Sequence, residues 1–148
     1  MADNDPLVNE IFIDAEPEQV YRFLTEGDLM RRWMGVQVEI DPQPGGIYRV
    51  SPGGVEIARG EYVEVSPYHK IAFSWGYESD HMGIPAGSTL VEITLEARAP
   101  GTLVRLVHHN LPGDEARRAH DEGWQHYLER LKTAAEGRDP GPDWHVNA

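Results

Sequence analysis

Apolar positions along the chain change period three times, and each change predicts an element. Residues 8–14, VNEIFID, alternate as a strand does when one face is buried. The period then becomes helical. Pro17 stands where a first helical turn tolerates a residue without an N–H, and Val20, Phe23 and Leu24 share one face. A short helix ending near Gly27 is predicted, and the spacing of Leu29, Met30 and Trp33 predicts a second before Gly35.

Residues 36–109 return to a period of two. VQVEID, GIYRVS, VEIAR, EYVEVS, KIAFSWG, STLVEITLEA and TLVRLVHH are separated by turn-forming stretches such as QPGG, PGG, SPYH and APG. These spacings suit antiparallel hairpins rather than β-α-β crossovers. The exception is GYESDHMGIPAGS, residues 76–88, too long for a tight hairpin and carrying His81, Met82, Ile84 and Pro85. Segments of this length are either mouths of sites or variable surface.

The last change follows LPGD. Ala116, His120, Gly123, Trp124, Tyr127, Leu128, Leu131 and Ala135 keep helical spacing, so a long amphipathic helix is predicted, with Asp114 as N-cap and Gly137 as its stop. Residues 1–136 form one expected domain. Residues 137–148 are an expected flexible tail, unless Trp144 docks back. An antiparallel sheet needs one face covered, and only the last helix is long and apolar enough to do it. The predicted class is α+β, a curved antiparallel sheet wrapped around a long C-terminal helix. Gly123 beside Trp124 is expected to let the helix backbone approach the strands.

Composition narrows the function classes. At 148 residues, 40% hydrophobic and 26% charged, the chain suits one soluble globular domain, and its apolar runs are too short to cross a bilayer. With no cysteine it has no disulfide, thiolate metal site or cysteine nucleophile. The N-terminal residues lack the pattern of a secretory signal, so the expected location is cytoplasmic. A net charge of −12 argues against nucleic acid and anionic membranes as partners.

The candidate chemistry is concentrated in residues 104–131, where four of the seven histidines fall. A metal needs ligands that converge. His120 and His126 are six apart on a helix, His108 and His109 are adjacent in a strand, and no HxH or HxxxH occurs, so no metal site is expected. His108 shares a face with Val104 and Leu106 and is the candidate general base by residue type; His120 precedes Trp124 by one turn and can face the same space. Arg59 and Glu61 point inward if counted back by twos from Val63 and Val65 and outward if counted from Tyr62, and a bulge near Gly60 would change the answer. Alternation places Tyr48, Phe73 and Trp75 on the inner face of the sheet opposite Trp124 and Tyr127, with Trp33 closing one end. The candidate ligand-binding set is therefore Trp33, Tyr48, Phe73, Trp75, His108, His120, Trp124 and Tyr127. No nucleophile elbow, phosphate loop or dinucleotide fingerprint is present, and no cofactor is expected.

Four stretches carry a resemblance. They are residues 11–33 with AEPEQVYRFLT and Trp33, the PGG at 44–46, GEYVEVSPYHKIAFSW at 60–75, and GTLVRLVHHNLP followed by EGWQHYLERL. In this order they resemble the AHSA1-like branch of the START-related SRPBCC superfamily, over roughly residues 8–136. The resemblance implies the helix-grip fold, with a hydrophobic cavity between sheet and last helix. It also implies a choice of functions: binding of a small hydrophobic or aromatic molecule, a polyketide cyclase- or aromatase-like enzyme using the same cavity, or a co-chaperone-like interaction module. A homodimer is a further possibility. Shared fold does not choose among them, and the branch supplies no fixed catalytic residues to carry over.

Overall fold

The computed structural model describes residues 6–52, 56–79 and 81–141. Strand β1 (Leu7–Ile13) leads into α1 (Pro17–Thr25) and α2 (Gly27–Met30). Pro17 occupies the start of α1, and the helix buries Val20, Tyr21, Phe23 and Leu24. Trp33 follows with its indole buried, its Nε1 donating to the Phe23 carbonyl at 2.8 Å. The Trp33 carbonyl in turn accepts from Arg130 Nε at 3.0 Å. This residue therefore ties the short helices to the end of the chain.

Six further strands follow: β2 (Val38–Ile40), β3 (Ile47–Val50), β4 (Ala58–Ser66), β5 (Lys70–Trp75), β6 (Thr89–Arg98) and β7 (Gly101–His109). All pair antiparallel, in the order β1-β7-β6-β5-β4-β3-β2. The last helix, α3 (Gly113–Ala135), packs its apolar side against the sheet, burying Ala116, His120, Trp124, Tyr127, Leu128 and Leu131. This is the helix grip. No helix among the described residues is long and apolar enough to cross a membrane.

Four local expectations need correction or a decision. VEIAR and EYVEVS are not two strands, because β4 runs unbroken from Ala58 to Ser66. Gly60, which reads as punctuation in the sequence, is instead a point of close approach: a Cβ there would overlap the Ser74 carbonyl on β5. Within β4, Arg59, Glu61 and Val63 face outward and Tyr62 inward; a register shift between Tyr62 and Glu64 then reverses the phase, so that Val65 packs against the core. Asp114 is not the N-cap. Pro112 holds that place in extended conformation, and Asp114 lies in the first turn, where its charge suits the helix dipole.

Gly137, by contrast, ends α3 as expected. With φ at +89° it donates to the Ala134 carbonyl while Arg138 N–H reaches the Thr133 carbonyl, the paired bonds of a Schellman end. Gly123 is where packing logic fails. A Cβ at this position would meet nothing within 4 Å, so the glycine does not admit a strand but borders open space. Trp144 lies outside the described residues.

Candidate functional site

The open space beside Gly123 is a cavity of about 140 Å³ between α3 and the end of β5. Trp75 ends β5, and the alternation of Phe73 and Trp75 continues through Gly76 to Tyr77, so both aromatic rings reach the same region. Gly76 is required by crowding, since a Cβ there would overlap the Pro85 carbonyl. The loop beyond supplies His81 and Met82 from a single tight turn. Met82 holds φ at +57°, a left-handed backbone that unbranched side chains adopt at some cost. From α3 come Ala119, His120, Gly123, Trp124 and Tyr127, and Met34 and Pro52 complete the wall.

The interior next to this space is filled. Tyr48 stacks on Phe73 with ring centroids 3.9 Å apart, and Tyr62 meets Tyr48 edge-on at 5.6 Å. Of the eight candidate residues, Trp75, His120, Trp124 and Tyr127 line the cavity. Trp33, Tyr48, Phe73 and His108 are packed within the core around it. Tyr77, His81, Met82 and Gly123 join the wall without having been in that set. Tyr77 was legible by extending the period of β5 by one more step.

Two histidines meet here. His108 and His120 have ring centroids 5.3 Å apart, whereas His109 points outward to Glu92 at 2.7 Å. The hydrogen bonds of His108 define its tautomer. Trp124 Nε1, which can only donate, gives its proton to His108 Nδ1 at 3.0 Å. Neutral His108 therefore carries its proton on Nε2 and donates it to Thr89 Oγ1 at 2.9 Å, and Thr89 donates to the Trp75 carbonyl at 2.8 Å. Burial pushes this imidazole down to about 2, with the neighbouring His120 and His109 adding to the shift. Both nitrogens are engaged and the ring is neutral at physiological pH, which makes it a poor general base.

His120 is bonded differently. Its Nδ1 lies 2.8 Å from the Ala116 carbonyl and its Nε2 2.9 Å from the Tyr77 hydroxyl. Burial lowers its pKa, the Ala116 carbonyl opposes the shift, and His81 lowers it further. Burial pushes the Tyr77 hydroxyl up to about 12. Trp75 Nε1 is fully enclosed and lies near enough to the Tyr77 hydroxyl to oppose that shift slightly, although the pair falls short of a well-formed hydrogen bond.

Arg59 and Glu61 take no part in this cavity. Arg59 and Arg49 converge on Glu78, at 3.0 and 2.7 Å, on the outer side of the sheet, and bonds to Arg49 and then Arg59 lower the Glu78 pKa. Among the described residues, no group of three His, Asp or Glu side chains converges as a metal ion would require.

The family profile described as activator of Hsp90 ATPase homolog 1-like protein matches residues 14–136. The chain belongs to this family. Among solved structures it is similar to an AHSA1-like protein of Rhizobium etli, with 45% identity over 93% of this chain and 86% of that one, at a TM-score of 0.75. It also shares its fold with the Aha1 dimer of Colwellia psychrerythraea, at 22% identity over 89% and 96% of the two chains and a TM-score of 0.76. CalU16 of Micromonospora echinospora is similar at 23% identity over 88% and 75%, with a TM-score of 0.72. No curated protein matches the sequence at a significant level. Family and fold thus agree with the helix grip, and the AHSA1-like relatives leave the site's chemistry to be argued from its own residues.

Proposed function

We propose that this AHSA1-like chain binds a small, mainly apolar molecule in the cavity between α3 and the end of β5. The observation that carries this reading is Gly123. A glycine inside a helix costs about 0.5–1 kcal/mol relative to alanine. Here no close contact demands it, since a methyl group would find open space. The helix forgoes that stability and keeps a notch in the cavity wall. Left-handed Met82 on the opposite side adds a second unfavourable local conformation at the same place.

Size limits the occupant. Apolar cavities of about 150 Å³ hold a benzene ring, whereas sites enclosing drug-sized molecules run to about 300–1,000 Å³. A volume of about 140 Å³ suits one ring. The engagement of both His108 nitrogens removes the strongest candidate base for a cyclase acting in the same space.

The test is titration of the chain with benzene and toluene, followed by amide NMR shifts and thermal unfolding, alongside Gly123→Leu. The wild type is expected to show saturable shifts at cavity residues. The leucine variant should stay folded and lose them. Unsaturable, scattered shifts in the wild type would reject the reading.

A further inference from the structure

The outer face of the sheet carries an ordered group of side chains where β1 meets β7. Asn9 marks the inner side of β1, since it bonds to Asp121 of α3 at 3.1 Å. Val8, Glu10 and Phe12 point the other way, and the register sets Val107, Arg105 and Leu103 of β7 directly opposite them. Two strands therefore present one order, an apolar pair, a charge pair and a second apolar pair. Val8 is 44% exposed and Phe12 38%, large apolar side chains left in water next to each other's charged neighbour. Arg105 and Glu10 stand 3.6 Å apart and half-exposed, a pair worth little by itself.

The edge beside this patch is closed to a further strand. Lys132 holds the Phe12 carbonyl and Glu136 accepts from the Asp14 N–H, so strand addition would have to displace both. A partner laid on the face displaces neither. The patch is also its own complement. A two-fold axis running between β1 and β7, along the strands, sets β1 of one copy over β7 of the other. Glu10 then meets Arg105, Val8 meets Val107 and Phe12 meets Leu103, each contact occurring twice. Charge favours the same place, because copies that each carry −12 repel over most of their surface, whereas Glu10 and Arg105 balance here. We propose that two copies of this chain associate face to face through this patch. Six side chains per copy fall short of the roughly 800 Å² per partner that a stable interface buries, so the dimer is weak and reversible. The patch lies across the sheet from the cavity, and the inference is independent of the small-molecule reading.

The experiment is sedimentation velocity on the full chain from about 10 µM to about 1 mM, the range in which small interfaces associate. It compares the wild type with Glu10→Arg, with Arg105→Glu, and with the two variants mixed in equal amounts. The wild-type mass is expected to rise with concentration towards that of a dimer. Each variant alone should associate at least about tenfold more weakly, because like charges then face each other across the axis. The mixture should recover the loss, since a patch with two arginines meets one with two glutamates.

A wild type that stays monomeric throughout the range overturns the inference, and that reading depends on no variant folding. A dimer that neither substitution weakens overturns it as well, because association then uses another face. So does a mixture that associates no better than the separate variants, which would deny that Glu10 of one copy meets Arg105 of the other.

Discussion

His108 shows how a buried titratable residue can be structural and still control pH behaviour. It sits in a chain of donors from Trp124 to His108 to Thr89 to the Trp75 carbonyl, with His120 facing it and His109 next to it in sequence. Its folded pKa of about 2 lies below the ordinary value of 6.5. The unfolded chain therefore binds the proton first. The stabilisation is fully present above pH 6.5 and declines as pH falls below it, by up to about 1.4 kcal/mol per pH unit for such a group. His120, also lowered, contributes in the same direction. His108→Leu strands the Trp124 indole N–H and should cost about 2–3 kcal/mol at pH 7. Between pH 6 and 5 its stability should fall more gently than that of the wild type, as read from urea unfolding at each pH. Parallel slopes for the two proteins would exclude His108 as the titrating group. The sequence placed His108 inside through Val104 and Leu106, but its proton inventory depended on Thr89 and Trp124, whose approach no periodicity reveals.

At the scale of an element, α3 combines a well-made end with a deliberate weakness. The Schellman bonds at Gly137 close its C-terminus, while Gly123 interrupts the wall it presents to the cavity. Gly123→Ala should raise stability by about 0.5–1 kcal/mol, because the new methyl group meets no neighbour and the unfolded chain loses freedom. Denaturant midpoints check this directly, and a destabilised alanine variant would show that the backbone, rather than the cavity, requires glycine. The helix and its buried face were legible from spacing. The meaning of Gly123 was not, since a glycine that admits a neighbour and a glycine that preserves a void look identical in a one-dimensional pattern. β4 posed a similar problem: Gly60 looks like a turn, Val63 is an exposed valine on the same side as Arg59 and Glu61, and the shift after Tyr62 turns Val65 to the core and makes it a misleading guide to them.

For the whole molecule, the order of periods was enough to specify the sheet and the helix it holds, because only one arrangement covers the inner face of so many antiparallel strands. The size of the cavity was not, since it depends on Tyr48, Phe73 and Tyr62 turning their rings into the middle of the grip. What holds the grip shut can be tested at the far end of α3. Lys132 Nζ donates to the Phe12 carbonyl on edge strand β1 at 2.9 Å and to Glu136 at 2.8 Å, and the Asp14 N–H donates to the same carboxylate at 2.8 Å. Arg138 also bonds to Glu136. The helix is thereby fastened to the first strand, across nearly the whole length of the chain, and the Phe12 carbonyl is occupied rather than offered to another strand. Lys132, then the Asp14 N–H, hold the Glu136 carboxyl at about 2. A depressed carboxyl contributes stability that is complete above its unfolded value near 4.5 and disappears as pH falls towards 2. Glu136→Gln should therefore lower stability at pH 7 by about 1 kcal/mol, allowing for solvent screening of the charges. The deficit should shrink below pH 4.5 and vanish near pH 2, where the wild-type carboxyl is itself becoming protonated. A thermal-unfolding series of both proteins from pH 7 to pH 3 reads this out, and a deficit that stays constant across the range would mean that Glu136 acts through shape and not through its charge.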